Sequence, residues 1–404
     1  MNALRIILPF AFGYFLSYFF RSLNAVIAPD LVAEIGLTAG DLGLLTSAYF
    51  LAFAPFQLPL GILLDRYGPR RVEAALLLVA ALGAAVFATA MSAPGLILGR
   101  ALIGLGVSAC LMAPFKAFRQ WFEQDKLPLI NGIQMTAGGL GALAATAPVE
   151  AALGILEWRG VFLVLAGTAV VAAAAIFLAV RDRDSGPAAG DLAEQVRGIR
   201  TIFTSRAFWR LAPLTVASQS AFLAIQGLWS GPWLRDVAGF GREAVAEGLL
   251  LIAAAMIAGF LGIGAIAERL SRHGIPSTIT ALLCMTAFMV TQACLLAGWS
   301  GTALPLWILF GFFGTAGIVP YAILPNAFPA NLAGRVGTGL NLLVFASAFA
   351  VQWGIGAVID LWPRSTADGF AVAGYRAAFG VVLALQVLAL AWYAAAPRLV
   401  KVRG

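Results

Sequence analysis

Continuous apolar runs of about 20 residues recur from one end of the chain to the other, separated by short polar stretches. A run of that length crosses a bilayer as an α-helix. Lipid admits only helices or closed barrels, and barrel strands alternate apolar and polar positions. These runs do not alternate, so they read as helices. Hydropathy predicts six spans at residues 6–28, 42–64, 72–91, 94–118, 127–153 and 160–180. A polar stretch, RDRDSGPAAGDLAEQVRGIRTIFTSR, occupies 181–206 and reads as a linker with a short amphipathic helix. Six more spans follow at 208–233, 244–267, 275–296, 303–328, 336–359 and 375–396. The expected fold is an all-α integral membrane protein of twelve transmembrane helices in two pseudo-symmetric six-helix bundles. The expected division is residues 1–180, a cytoplasmic linker at 181–206, and residues 207–404.

Composition sharpens this picture. The 404 residues are 61% hydrophobic and 11% charged, against about 25% charged in an ordinary soluble domain. Mean hydropathy is +0.92. A large soluble enzyme is excluded, because the chain lacks the polar residues to cover one. The net charge of +7 would suggest nucleic acid in a soluble protein, but here it follows from loop placement. With both termini on one side, 18 of the 26 Lys and Arg residues fall on that side. Five fall opposite (Arg159, Arg235, Arg242, Arg364 and Arg376), and Arg21, Arg100 and Lys116 lie within spans. The positive-inside rule then puts both termini and the linker in the cytoplasm, with the chain in the cell inner membrane. The apolar N-terminal run lacks a small-residue cleavage site and reads as a retained first helix. Trp121, Trp158, Trp209, Trp233 and Trp362 fall near span ends, where an interfacial belt is expected.

Few residues suggest bond-making chemistry. Cys110, Cys284 and Cys294 lie in apolar spans at irregular spacing and read as packing residues. The one histidine, His273, lies in a loop. No His/Cys/Asp cluster, nucleotide-binding loop or nucleophile–base constellation is visible. The chain therefore reads as a non-enzyme with no metal or cofactor and no nucleic-acid partner. Its expected partners are the lipid bilayer and a small molecule, with the chain acting as a monomer.

The two halves repeat. Gly61, Asp65 and Arg66 follow the second span, and Gly264, Glu268 and Arg269 follow the eighth, each at an offset of 203 residues. Pro29 and Pro232 share that offset at matching places in the two halves. Duplicated units of this kind mark transporter folds.

The segment Gly61-x-x-x-Asp65-Arg66-x-Gly68-x-Arg70-Arg71 resembles the loop signature of the major facilitator superfamily, between its second and third helices. Glu268-Arg269 resembles the degenerate copy between helices 8 and 9, and Arg100 in GRALIGLG resembles an Arg-x-x-x-Gly pattern in helix 4. The resemblance covers the whole chain and implies secondary transport by alternating access. Gly61 and Gly68 are expected to allow close helix approach and a tight turn. Asp65, paired with Arg66, Arg70 or Arg71, is expected to form a cytoplasmic latch that holds the outward-facing state. Arg100, Gly264, Glu268 and Arg269 join it as candidate conformational residues.

The first span carries the candidate binding chemistry. Arg21 lies near mid-depth, where a charge is expensive and points to function. Tyr14, Tyr18, Arg21 and Asn24 form a polar stripe at helical spacing, as expected of a wall of a water-filled cavity. Arginine matches carboxylate or phosphate geometry. Asp30, Glu150, Glu157 and Asp360 all fall toward span ends, so no acid is expected beside Arg21 and none stands out as a proton carrier. Tyr49, Gln134, Gln219, Gln226, Trp229, Tyr321, Asn341 and Gln352 are the uncharged candidates for the same cavity. Any one amide could instead bridge two helices.

The stretches YFFRSLNAVIAPDL, DLGLLTSAYFLAFAPFQLPLGILLDRYGPRR and MAPFKAFRQWF resemble the anion:cation symporters, and the first also resembles the organophosphate:phosphate antiporters. That likeness implies an anion bound at Arg21. The chain departs from the symporters in having Phe20 where many have Asp, and Val107 where Glu is frequent. It departs from the antiporters in lacking an arginine at depth in the seventh span. The expected cargo is therefore a small organic anion, a carboxylate before a phosphate ester; proton and sodium are the candidate coupling ions, and the two departures from the symporters fall at positions associated there with proton coupling. The alternatives are a drug or metabolite exporter of the same fold and a non-transporting sensor.

Overall fold

The computed structural model describes residues 3–123, 127–181, 200–297, 303–328, 332–364 and 369–396. Among them no strand occurs, and nine helices are long and apolar enough to cross a membrane by themselves. Further passes are built from shorter helices joined end to end.

The first pass comprises α1 (Leu4–Ser22) and α2 (Asn24–Ile35). It stops at Gly36, whose φ of 73° suits a residue without Cβ. Thr38 then caps α3 (Ala39–Thr89) with a reciprocal pair: its hydroxyl accepts from Asp41 N–H, and the Asp41 carboxylate accepts from Thr38 N–H. α3 holds the second and third passes, turned at Gly68 (φ 82°, ψ 158°). That conformation is essentially confined to glycine. The fourth pass is α4 (Ala93–Gly106) plus α5 (Met112–Trp121), the fifth α6 (Leu127–Ala144) plus α7 (Ala147–Leu153), and the sixth α8 (Trp158–Ala179).

In the second half, α9 (Arg206–Ala224), a π turn (Ile225–Trp229) and α10 (Ser230–Asp236) make the seventh pass. α11 (Arg242–Arg272) and α12 (Ser277–Ala297) are the eighth and ninth. α13 (Ala303–Gly314), a 3₁₀ turn (Thr315–Ile318) and α14 (Val319–Ile323) make the tenth, followed by α15 (Ala333–Ile359) and α16 (Val372–Ala395). The result is twelve passes in two six-helix bundles. The predicted linker falls largely outside the described residues, as residues 182–199.

The exterior, as well as the core, is apolar. Leu78, Leu98, Leu163, Leu178, Leu283 and Leu388 are exposed, whereas Asn24, Glu73, Arg100, Gln134 and Gln352 are buried. Apolar side chains outside and polar ones between helices suit a lipid solvent. Glycines set the helix approaches inside each bundle. A Cβ at Gly104 would strike the Tyr49 backbone, one at Gly106 Ala80, and one at Gly141 the Phe15 backbone.

The interfacial belt needs correction. Trp158 and Trp233 are buried; Trp158 donates to Glu34 at 2.6 Å, and Trp233 packs edge-on against Trp307. Among the described residues, Trp209, Trp353 and Trp392 are the exposed tryptophans.

Candidate functional site

The two bundles meet tightly at the face opposite the Asp65 loop. Arg242, opening α11, donates through both terminal nitrogens to Asp30 of α2, each at 2.8 Å, and through Nε to Glu150 of α7 at 2.5 Å. Asp360, after α15, accepts from the Ala39 and Gly40 amides at 2.9 and 2.7 Å, capping the N-terminus of α3. Arg364 donates to Leu37 O at 2.7 Å. Gly231 lies against the Ala25 carbonyl and Gly356 against that of Ala39. This face is sealed by backbone contact and charge together.

A cavity of about 450 Å³ lies between the bundles and reaches toward the Asp65-loop face, where Arg119, Pro325, Gly337 and Thr338 line it. At its inner end is Arg21, 7% exposed. The Arg21 guanidinium lies 4.5 Å from the Tyr18 ring centroid and 5.6 Å from those of Tyr49 and Phe345. Its Nε has no partner, and among the described residues no carboxylate pairs with it. Rings on several sides hold the cation by cation–π attraction, and Nε is left without a partner.

Of the sequence candidates, Tyr14, Tyr18, Arg21, Gln219, Gln226, Tyr321 and Asn341 line this cavity. Gly138 leaves room for the Tyr14 and Tyr18 rings, and Gly314 and Gly317 admit Phe222 and Gln219. The Tyr321 hydroxyl donates to Asn341 Oδ1 at 2.9 Å. Gln226 lies in the π turn, a distortion frequent at functional sites.

Five candidates do not reach it. Asn24 is fully buried and donates to Thr46 Oγ1 at 2.9 Å. Tyr49 lies behind Arg21, with Arg100 5.4 Å from the same ring. Gln134 donates to the Phe10 and Cys110 carbonyls, each at 3.2 Å. Trp229 donates to Gln352 O at 3.0 Å, and the Gln352 side chain is buried without a partner. Asn24, Gln134 and Trp229 tie elements together. The cavity also takes in Ser17, Gln57, Ser108, Arg119 and a set of Phe and Met side chains. Arg119 reads in the sequence as one more basic loop residue, and nothing there marks it as lining.

The loop motif differs from expectation in its pairing. Asp65 binds Lys116 at 2.5 Å, and Lys116 also donates to Leu64 O at 2.8 Å. Arg66 lies over Tyr67, and Arg70 donates to Phe177 O at 2.7 Å and covers its ring. Arg71 is exposed. A Cβ at Gly61 or Gly264 would enter open space, so neither supports a close approach here, whereas Gly68 does form the turn. Glu268 pairs with Arg272 one turn on, at 2.5 Å, and the Arg269 carbonyl meets the His273 ring at 2.8 Å. Arg100 is 1% exposed and donates to the Phe20 carbonyl at 2.8 Å, fastening α4 to α1 beside Arg21.

Two six-helix bundles around a central cavity, sealed on one face, define the architecture of a multi-pass secondary transporter. The chain belongs to the Major Facilitator Superfamily, whose model matches residues 10–357. It is 29% identical over 152 residues to a probable sulfoacetate transporter of Cupriavidus necator, a match covering 38% of this chain and 35% of that protein. The match thus spans about a third of that relative's length. A hexuronate transporter of Bacillus subtilis is 21% identical over 393 residues, with 92% of this chain and 91% of the relative covered. In fold the chain is similar to a bacterial homologue of the human lysosomal transporter Spinster, with a TM-score of 0.75 at 16% identity and 97% of each chain covered.

Proposed function

We propose that this transporter carries a small organic anion, a carboxylate, by alternating access and in symport with a cation. The supporting observation is Arg21: a cation within a largely apolar cavity, held by rings and matched by no acid among the described residues. Such a site favours an anion, which supplies the missing charge and accepts from the guanidinium in its preferred two-bond geometry. Gln219, Gln226, Asn341 and Tyr321 would fix the rest of the molecule by neutral hydrogen bonds. Sulfoacetate and hexuronates, named for the two relatives, are carboxylate-bearing anions of suitable size. The basic bias of the loops assigns the Asp65-loop face, the linker and both termini to the cytoplasm. On that assignment the described state opens inward from the cell inner membrane. The bundles of residues 1–180 and 207–404 would rock about Arg21, and the Asp65 loop would latch across the halves only when the cavity faces out. The test is a thermal-shift and radiolabel-uptake panel of glucuronate, galactonate, sulfoacetate, glycerol phosphate and a neutral sugar. Stabilisation and uptake by carboxylates alone supports the reading; a response to the neutral sugar alone refutes it.

A further inference from the structure

Glu73 lies on the third pass, in the α3 segment that follows Gly68. It is 0% exposed, and neither carboxyl oxygen has a hydrogen-bond partner. It belongs to no ion pair among the described residues. Gly13 of α1 lies directly against it: a Cβ there would be 2.6 Å from Glu73 Oε1. Leu77 of α3 and Ile176 of α8 surround the same point. The Cys110 thiol lies beside the carboxyl without reaching hydrogen-bond geometry. Cys110 is thus the titratable group facing Glu73 from the fourth pass. α1 presents Gly13, α8 presents Ile176, and Arg70 on the same helix turns away to Phe177.

An isolated carboxylate in such surroundings takes up a proton instead of staying charged. Even the neutral acid leaves a donor unmet, which costs stability. A leucine or methionine would pack there without that cost. Ionisable groups kept inside a membrane bundle against such a penalty mark ion pathways and proton relays. The cavity lies along an adjoining face of α1, where Tyr14, the neighbour of Gly13, forms part of its wall.

We propose that Glu73 is a proton-binding site of this transporter, occupied in the sealed state described and emptied when the rocking of the bundles shifts α1 against the third pass within the first bundle. The step is a heterolysis: the O–H bond breaks, the proton passes to water, and the electron pair stays on the carboxylate. The inference rests on the alternating-access reading but not on the anionic cargo, and its test uses no cargo.

Two readouts on the full chain in lipid nanodiscs decide it. Infrared spectroscopy of the wild type at neutral pH should show a neutral-carboxyl carbonyl band that Glu73→Gln lacks. Should that variant not fold, Glu73→Asp should retain the band at a shifted frequency. A band indifferent to both substitutions overturns the proposal. Spin labels at Ala33 and Glu243, on opposite sides of the sealed face, report its opening. Raising the pH should lengthen their separation in the wild type but not in Glu73→Gln, which mimics the protonated acid. Equal pH responses in the two proteins overturn the proton site while leaving alternating access standing. A face that opens in neither protein, at any pH, overturns both.

Discussion

Replacing Arg21 by glutamine should move stability and binding in opposite directions. Without cargo, the wild type holds a guanidinium 7% exposed with no carboxylate opposite it. An uncompensated buried charge costs several kcal/mol. Tyr18 at 4.5 Å returns about 1–2 kcal/mol of that by cation–π attraction. Tyr49 and Phe345, at 5.6 Å, lie near the edge of that attraction's range of about 6 Å. Glutamine removes the charge and keeps a polar head, so the melting temperature in detergent should stay level or rise. With an anion bound, the same change deletes one partner of a buried charged pair, a loss of about 2–5 kcal/mol. At 1.4 kcal/mol per tenfold, affinity should fall about 30- to 4,000-fold. Arg21→Lys restores the charge without the planar fork and should recover only part of the loss. Isothermal titration with the best carboxylate of the panel, beside thermal melts of the three proteins, measures both quantities. An Arg21→Gln variant that melts lower and binds as before would show that Arg21 is a structural cation, and the anion assignment would fail.

Two further perturbations address the conformational machinery. Arg242→Ala removes the side chain that joins Asp30 and Glu150 to the second bundle, so a cysteine introduced in place of Ala246, buried one turn along α11, should react faster with a membrane-impermeant thiol reagent; an unchanged rate would mean the backbone contacts seal that face alone. Gly68→Ala forces a Cβ into φ 82°, ψ 158° and should cost about 1–3 kcal/mol in a thermal or denaturant melt, whereas Gly61→Ala, whose Cβ meets open space, should leave the melt unmoved.

The passes were legible because each is a long apolar run bounded by charge, and lipid makes that pattern sufficient. The duplicated loop and the mid-depth arginine were legible for the same reason: polar residues are rare enough here that each one carries information. What the sequence did not resolve was direction. Asn24 shares the Arg21 stripe at helical spacing, and the backbone stays helical through Leu23 (φ −55°, ψ −37°), yet its side chain is taken by Thr46 of the second pass. Gln226 and Trp229, three apart, would share a face of an α-helix. The π turn they occupy changes that register, leaving Gln226 on the cavity and Trp229 behind it against Gln352. Lys116 lies within a predicted span with nothing in the sequence to name its partner, and only the approach of α5 to the end of the second pass reveals Asp65. Glu73 is the second residue of the predicted third span, two after Arg71, where an acid reads as facing the interface. The turn at Gly68 carries it inward against Gly13.

On these assignments α1 separates two charges that can be coupled by balance alone. Arg21 faces the cavity, and Glu73 presses on Gly13 eight residues back along the same helix, about 12 Å at 1.5 Å per residue. Arg100, buried beside Arg21, adds a fixed positive charge that the cycle does not change. Over the remaining groups, Arg21 with ionised Glu73 carries the same charge as Arg21 with a bound monoanion and protonated Glu73; taking the anion without the proton makes the set one charge more negative, and taking the proton without the anion makes it one charge more positive. At 12 Å and an effective dielectric of 20, the bound anion and an ionised Glu73 repel by about 1.4 kcal/mol. Protonation should therefore tighten anion binding about tenfold, and the anion should favour the proton by the same factor. Glu73→Gln, fixed in the neutral form, should bind the anion at high pH about tenfold more tightly than the wild type and match it at low pH. If wild type and variant show the same affinity across that range, the two sites do not sense each other, and a proton at Glu73 could not drive the cargo through the N-terminal bundle.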